Sequence, residues 1–349
     1  MTWAIYGANG YTGRLIAREA IALGHRPTLI GRNPAAIERE ASELALPWAA
    51  ARLEDRDAVG RALAGHSVVL HCAGPFHRTA GPMVTACLAL GVSYLDITGE
   101  IAVLEAVASR DREAKSRNLC LVPGVGFDVV PTDCLAAHLA RRLPGAVHLS
   151  LAFSSTGGLS RGTALTMVSR LGEPGAIRRE GRIIAVPVAW QTRMVDFGQG
   201  QRLTVSIPWG DIATATRTTG IGDVVVYTAV SRRALFLLRG TRWIAPLLAL
   251  PPVRSAIAAV VRRRVTGPDD AARADGRSHV WGEAVAADGG RVVSRLWGPE
   301  GYTLTALAAV RAAERVVQGQ VAPGYQTPAS AFGADFVLDL PGVRREDVE

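Results

Sequence analysis

The first 130 residues alternate between short apolar runs and stretches whose apolar positions recur at the helical period. The runs at residues 2–6, 27–30, 48–52, 67–72, 93–97 and 119–122 predict six strands, with helices between them. The fourth run, SVVLHC, is almost continuously apolar, which is typical of a central parallel strand buried on both faces. The alternation predicts an α/β domain with a doubly wound, mostly parallel sheet.

The pattern changes after a helix predicted at residues 133–143. Longer or alternating strands are predicted at 147–153, 183–197, 202–207, 224–230, 279–286 and 291–297, with hairpin turns near 196–201 and 288–290. This pattern predicts a second, α+β domain with a largely antiparallel sheet. Thr327-Pro328 predicts the start of a helix through Phe336 that packs back on the first domain. The predicted domains are residues 1–132, 133–323 and 324–349.

The turn after the first strand, GANGYTG, carries the strongest chemical signal. Gly7 permits a tight turn, Gly10 lets the backbone approach a pyrophosphate, and Gly13 lets the helix pack close to the sheet. A pyrophosphate would lie at the N-terminus of the helix, where backbone N–H groups favour an anion. The turn predicts a dinucleotide-binding Rossmann domain, with cofactor contacts from Gly7, Asn9, Gly10, Tyr11, Thr12 and Gly13.

The end of the second strand indicates which dinucleotide is bound. An acidic residue there would hold the ribose 2′-hydroxyl of NAD, but this chain has Gly31-Arg32-Asn33. The planar guanidinium of Arg32 suits a 2′-phosphate, so NADP(H) is the predicted cofactor. The alternative is that Arg32 is simply a solvated arginine.

The loops after the fourth, fifth and sixth strands are expected to lie near the nicotinamide, because ligands bind beyond the carboxyl ends of parallel strands. Gly74, Pro75 and Phe76 are predicted cofactor contacts in the first of these loops, and the helix after this loop is predicted to begin at Gly81-Pro82 and to run through Leu90. His77 and Asp128 are the candidate catalytic residues, since each could supply a proton to the product. Alternatively, His77 caps a helix or faces water, Asp128 caps the helix near Pro131, and water protonates the product. Glu100 is expected to hold N–H groups in the first turn of its own helix.

Composition narrows the class of protein. The chain has 349 residues, 48% of them hydrophobic, and a net charge of +8, with arginines scattered among acidic residues over most of its length. A nucleic-acid surface is therefore not expected. The early first strand leaves no room for a signal peptide, and the expected location is cytoplasmic. No metal-ligand spacing is found, and the cysteines are expected to be reduced core thiols: Cys72, Cys87, Cys120 and Cys134.

Residues 231–266 combine bulky apolar side chains with arginines at both ends and in the middle. Arginines and prolines interrupt the segment, so it contains no run of ~20 apolar residues that could span a membrane. One interpretation is a pair of amphipathic helices that pack on the sheet or on a second subunit. The other is a lid that guards an apolar substrate or touches anionic lipid.

Seven sequence blocks together resemble the saccharopine dehydrogenase-like oxidoreductases and their bacterial reductase branch. These are GANGYTG, HCAGPF, YLDITGE, PGVGFDVVPTD, GLSRGTALTM, IPWGD and TPASAFG. The resemblance implies a nicotinamide cofactor in an N-terminal Rossmann domain and an α+β domain that supplies the substrate wall. The branch includes proteins similar to trans-acting enoyl reductases of lipid and polyketide synthesis, whereas other members reduce imines.

We therefore expect an NADPH-dependent reductase that transfers a hydride to a conjugated C=C bond of an apolar acyl, lipid or polyketide-type substrate. An imine reductase acting on an amino-acid-like substrate is the first alternative, and Arg161, Arg170 and Arg193 would then bind its carboxylates. A non-catalytic NADPH-binding or lipid-associated protein is the second. The partner expected is a small apolar molecule; contact with a membrane or a carrier protein and a homodimer stay open.

Overall fold

The computed structural model describes residues 2–348, which form two compact units. The first unit contains the residues up to Val130 together with Tyr302–Gly333. The second contains Pro131–Gly301 together with the residues from Ala334 onward. The elements up to the first boundary are β1 (Thr2–Tyr6), α1 (Tyr11–Ala22), β2 (Thr28–Gly31), α2 (Pro34–Leu44), β3 (Trp48–Ala50), α3 (Arg56–Leu63), β4 (His66–His71), α4 (Phe76–Leu90), β5 (Ser93–Asp96), α5 (Ile101–Ala108), α6 (Asp111–Ser116) and β6 (Cys120–Val122).

The second unit begins with a helix, and most of the strands of its sheet follow that helix in the chain. Its elements are α7 (Val130–Arg142), β7 (Ala146–Ser155), α8 (Arg161–Ser169), β8 (Gly175–Arg179), β9 (Arg182–Val186), β10 (Thr192–Asp196), β11 (Gln201–Ser206), α9 (Asp211–Thr219), β12 (Asp223–Ala229), α10 (Arg232–Gly240), α11 (Ala245–Leu248), α12 (Pro251–Arg264), α13 (Asp270–Asp275), β13 (Arg277–Ala286) and β14 (Arg291–Pro299). The chain ends with α14 (Gly301–Val317), β15 (Gly324–Tyr325), α15 (Pro328–Phe332), a 3₁₀ turn (Phe336–Asp339) and β16 (Arg344–Asp347).

The first unit is built on a seven-stranded parallel sheet in the order β15-β6-β5-β4-β1-β2-β3. Apart from the added β15, this is the strand order of the doubly wound dinucleotide-binding fold. Strand β1 lies between β2 and β4, and Ile5, Leu29 and Leu70 on these strands are fully buried. The predicted parallel α/β domain is confirmed.

The second unit contains a mixed, mostly antiparallel sheet. Its main path is β10-β11-β12-β7-β13-β14-β16, and β8 pairs with both β12 and β9. Only β12 and β7 run parallel to each other. Aromatic and branched side chains fill part of its core, among them Phe197, Tyr227 and Trp281. The predicted second fold class is therefore also confirmed.

Several element boundaries differ from the sequence prediction. The single strand expected at 183–197 is two strands, β9 and β10, because Pro187 lacks an N–H group and Ala189 has a positive φ of 54°. The C-terminal helix expected to reach Phe336 ends at Phe332, where Gly333 with φ of 90° follows. Beyond it, β16 pairs with β14 in the second unit.

The predicted second domain ran to residue 323, whereas the structure places residues 302–323 in the first unit. Their side chains explain this position. The Thr305 hydroxyl accepts a hydrogen bond from the Phe127 N–H group at 3.0 Å, and Glu314 pairs with His25. The sequence prediction also missed α14 itself, whose largely apolar inner face packs within the first unit.

Candidate cofactor and catalytic site

The glycine turn joins β1 to α1 and leaves no space for side chains at two of its positions. Gly7 has a φ of +84°, and a Cβ atom there would lie 2.8 Å from the backbone nitrogen of Ala73. A Cβ atom at Gly13 would lie 2.5 Å from the Gly7 carbonyl oxygen. Both distances are shorter than real Cβ contacts, so each position requires glycine. The close approach at Gly7 also places the loop after β4 beside the turn.

The N-terminus of α1 fits a bound pyrophosphate. Gly10 is exposed in extended conformation at the N-cap, no side chain caps the helix, and its first turn carries no acidic residue. The N-terminal end of the helix macrodipole is thus offered to an anion without a competing carboxylate. Tyr11 and Thr12 lie in the first turn, and the Tyr11 ring packs edge-on against Tyr302 at 5.0 Å. Asn9 lies beside Gly31, since a Cβ atom on Gly31 would lie 3.1 Å from the Asn9 Oδ1 atom.

Arg32 lies exposed directly after β2, where the sequence places it. Asn33 is occupied as the N-cap of α2, since its side chain accepts a hydrogen bond from the Ala36 N–H group at 3.2 Å. Within residues 2–348, no ion pair engages Arg32. Its guanidinium therefore remains available to a ligand at the carboxyl end of β2.

Sequence reasoning missed a second arginine at this edge, Arg52, which follows β3. The buried Tyr6 hydroxyl donates to the Ala51 carbonyl at 3.0 Å. Burial, with a contribution from Glu54, raises the pKa of this hydroxyl to about 12, while the charges of Arg32 and Arg52 act in the opposite direction. Both arginines thus exert an electrostatic effect on one hydroxyl. Adjacent parallel strands end at one edge, which is the signal that could have identified Arg52.

The loop after β4, which carries Gly74, Pro75 and Phe76, approaches the glycine turn through Ala73. The Cys72 N–H group donates to the Tyr6 carbonyl at 2.7 Å and continues the pairing of β4 with β1. Pro75 is the N-cap of α4, and the Phe76 ring packs edge-on against His71 at 5.4 Å. The three residues therefore follow β4 at the carboxyl edge of the sheet, directly after the residue that contacts Gly7.

Glu100 holds the beginning of α4 and not that of its own helix, which corrects the expectation from the sequence. Its buried carboxylate accepts hydrogen bonds from the N–H groups of Phe76 at 2.9 Å and His77 at 3.2 Å. The His77 Nδ1 atom lies 3.1 Å from the same carboxylate. These contacts explain why α4 begins at Phe76, although the sequence predicted a start at Gly81. They also fix the orientation of the His77 ring, whose side chain remains partly exposed.

Asp128 lies in the loop after β6 and packs against Gly99. A Cβ atom at Gly99 would lie 2.7 Å from the Asp128 Oδ2 atom, so the glycine makes room for the carboxyl group. This carboxyl group makes no hydrogen bond to any other residue in the described range, so it does not act as the helix cap considered from the sequence. Burial, with a smaller contribution from the negative charge of Glu100, raises its pKa to about 7. Asp128 can therefore carry a proton near neutral pH.

His77, Glu100 and Asp128 come together because they follow three neighbouring parallel strands, β4, β5 and β6. The contacts of His77 with Glu100 and of Gly99 with Asp128 join residues that are 23 and 29 positions apart. The group contains an oriented imidazole, a buried carboxylate that accepts three contacts, and a carboxyl group with a raised pKa. Such a combination is typical of sites that transfer protons.

The three arginines proposed for the imine alternative are engaged by different partners. In the second unit, the Arg161 Nε atom donates to the Val265 carbonyl at 3.0 Å, and Arg170 pairs with Glu173 at 3.2 Å. Arg193 pairs with the buried Glu283 at 2.6 Å and lies 4.7 Å from the centre of the Trp281 ring. Each guanidinium group thus has a partner within its own unit.

The comparisons with known proteins agree with this geometry. A family model described as NAD(P)H-binding matches residues 7–119. A saccharopine dehydrogenase-like oxidoreductase of Arabidopsis thaliana is 32% identical over 152 residues, which cover 37% of this chain and 32% of that protein. This chain therefore aligns with about a third of the plant protein's length. A Mycobacterium tuberculosis protein named for trans-acting enoyl reductases is 27% identical over 97% of this chain and 94% of its own length.

The fold also matches a solved structure over its full length. Saccharopine dehydrogenase (L-Glu forming) from Saccharomyces cerevisiae superimposes with a TM-score of 0.68, at 12% identity and with 100% of both chains covered. The fold and the nucleotide-binding turn thus define an NAD(P)H-binding oxidoreductase. The relatives and the matching fold thus confirm the resemblance to the saccharopine dehydrogenase-like oxidoreductases that the sequence shows.

Proposed function

We propose that the protein is an NADPH-dependent reductase that saturates a conjugated C=C bond in an apolar acyl, lipid or polyketide-type substrate. The similarity to the mycobacterial relative named for enoyl reductases, which extends over nearly the whole of both chains, carries this proposal. The engagement of Arg161, Arg170 and Arg193 by internal partners supports it further, since a substrate with several carboxylates would need free cations.

The preference for NADPH over NADH rests on Arg32 and Arg52. Both are exposed, both lie at the carboxyl edge of the parallel sheet, and the end of β2 carries no acidic residue. A 2′-phosphate would receive charge-assisted hydrogen bonds from these guanidinium groups, which the 2′-hydroxyl of NADH cannot match. Arg52 already pairs with Glu54 at 4.0 Å, so Arg32 is the stronger candidate of the two.

The residues of this chain would hold the cofactor and supply the proton. The glycine turn and the N-terminus of α1 would bind the pyrophosphate, with Gly74, Pro75 and Phe76 near the nicotinamide ring. The nicotinamide supplies a hydride when it is bound. Asp128, protonated near neutral pH, would donate the proton that the saturated product needs, and Glu100 would orient His77 beside it.

The length of the acyl chain tests the substrate class. NADPH oxidation is measured with 2-enoyl thioesters of increasing chain length, beside a series of imino acids. Each additional methylene buried is worth about 0.8 kcal/mol, so kcat/KM should rise by about fourfold per carbon until the binding surface is filled. A flat response to chain length, together with turnover of the imino acids, would support the imine alternative and overturn the proposal.

A further inference from the structure

Residues 232–264, here called the arginine-rich segment, expose an unusual amount of apolar surface. The segment comprises α10, α11 and α12, and none of the residues in these helices is fully buried. Trp243 is 89% exposed, Phe236 is 79% exposed and Leu237 is 68% exposed. Ile244, Leu247, Leu250 and Val260 add further exposed apolar side chains. Bulky side chains of this kind usually mark a surface that contacts something else.

The charge of the segment has one sign only. It contains eight arginines and no aspartate or glutamate. Two of them hold the segment to its own unit: Arg242 donates to the Val188 carbonyl at 2.6 Å, and Arg254 donates to the Leu171 carbonyl at 3.0 Å. The other six are exposed and form no ion pair in the part of the chain that the structure describes: Arg232, Arg233, Arg239, Arg262, Arg263 and Arg264.

The exposed apolar residues and the exposed arginines alternate along the same surface segment. Phe236 lies in α10, Leu247 lies in α11 and Trp243 lies in the turn between them, so exposed apolar side chains follow one another along the segment. Arginines flank these apolar residues at the start of α10 and at the end of α12. Aromatic and aliphatic side chains bordered by cations are typical of helices that lie in the interface of a membrane. No helix among residues 2–348 is both long and apolar enough to cross a bilayer.

We infer that the arginine-rich segment docks on the surface of an anionic lipid bilayer. Phe236, Leu237 and Trp243 would enter the boundary between headgroups and acyl chains, while the flanking arginines would contact lipid phosphates. The segment contains none of the proposed cofactor-binding or catalytic residues, and its docking on lipid does not depend on the substrate that the enzyme reduces.

A second copy of this chain fits the segment less well. A symmetric dimer brings the same patch of two subunits face to face, which would juxtapose the unpaired arginines of both copies. The desolvation and repulsion of these like charges oppose such a contact. An anionic bilayer satisfies both features of the segment, because it supplies phosphates for the arginines and hydrocarbon for the apolar side chains.

Vesicle co-sedimentation tests the inference with the full-length protein. We expect binding to vesicles of phosphatidylglycerol and phosphatidylcholine, weak binding to phosphatidylcholine alone, and release at high salt. Each arginine near an anionic surface strengthens binding by about fivefold. The triple variant R262Q/R263Q/R264Q should therefore lower the partition coefficient by about a hundredfold. The matched control is R56Q/R61Q/R112Q, which removes three exposed arginines from the first unit and should bind like the wild type.

The apolar contribution is tested separately at Trp243. W243A should lower the partition coefficient by at least about tenfold, whereas W243F, which keeps an aromatic ring, should retain most of the binding. Because Trp243 is almost fully exposed, neither change should affect folding, and thermal denaturation checks this. Equal binding to both vesicle types, an equal loss in the control triple variant, or no binding at all would overturn the inference. So would sedimentation velocity showing a dimer that W243A dissociates, since the occupant would then be a second copy.

Discussion

The carboxyl group of Asp128 offers a direct test of the candidate site through the stability of the protein. Burial and Glu100 raise its pKa from 3.8 to about 7 in the folded protein. The folded state therefore binds this proton more tightly than the unfolded state does. The stabilisation is fully present below about pH 4, where both states are protonated, and it is lost as the pH rises through about 7.

The magnitude follows from the size of the shift. One pKa unit corresponds to about 1.4 kcal/mol, and between pH 5 and pH 8 about two units of the shift are titrated. The free energy of unfolding of the wild type should thus fall by about 2–3 kcal/mol over this range on account of Asp128 alone. Asp128→Asn has a neutral side chain of the same shape at every pH and lacks this contribution. Relative to the wild type, the variant should gain about 2–3 kcal/mol between pH 5 and pH 8.

Urea denaturation at a series of pH values measures this difference, and any constant offset between the two proteins cancels. Asp96, whose pKa is raised by burial to about 6, contributes in the same direction in both proteins. Asp57→Asn, at an exposed position in the first turn of α3, serves as the control and should follow the wild type. Parallel pH dependences for the wild type and Asp128→Asn would refute the environment inferred for Asp128.

Three further predictions concern the cofactor and the position of His77. Arg32→Ala should weaken NADPH binding by about 10- to 150-fold and leave NADH binding nearly unchanged, because a charge-assisted hydrogen bond is worth about 1.5–3 kcal/mol; calorimetry that shows equal losses for both cofactors would contradict this. Gly10→Val should abolish NADPH binding while circular dichroism shows a folded protein, whereas Gly60→Ala, at a helical position with open space around it, should bind normally. Glu100→Gln should lower the free energy of unfolding by about 1.5–3 kcal/mol, because the amide cannot make all three contacts of the carboxylate. The same change should shift the NMR signals of the His77 ring. An unchanged His77 signal would argue against the positioning role of Glu100.

The parts of the site that follow from local sequence were predictable. The glycine turn requires only a strand, three glycines at fixed spacing and a helix, and Gly7 and Gly13 have the steric roles expected from that pattern. Arg32 follows from the same reasoning, since its position depends on the end of one strand. The seven-stranded sheet was predicted apart from β15, which has only two residues and therefore no periodicity to detect.

The parts that depend on contacts between distant residues were not predictable in the same way. The Glu100 carboxylate accepts hydrogen bonds from the N–H groups of Phe76 and His77, which lie more than twenty residues earlier in the chain. These contacts form because β4 and β5 lie side by side. The distance along the sequence between Glu100 and the start of α4 does not reveal that the two are in contact. The sequence prediction therefore placed the beginning of α4 too late. Arg52 was missed for the same reason, since its relation to Tyr6 exists only once the strands have paired.

Transfer of deuterium from NADPH labelled at the reactive carbon of the nicotinamide tests the central proposal most directly. The labelled cofactor is incubated with a long-chain 2-enoyl thioester, and the product is analysed by mass spectrometry and NMR. We predict a saturated thioester that carries one deuterium on a carbon of the former double bond, with slower turnover by Asp128→Asn. An unlabelled and unreduced thioester, together with deuterium on the amine-bearing carbon of an amino acid formed from an imino acid, would contradict the proposal.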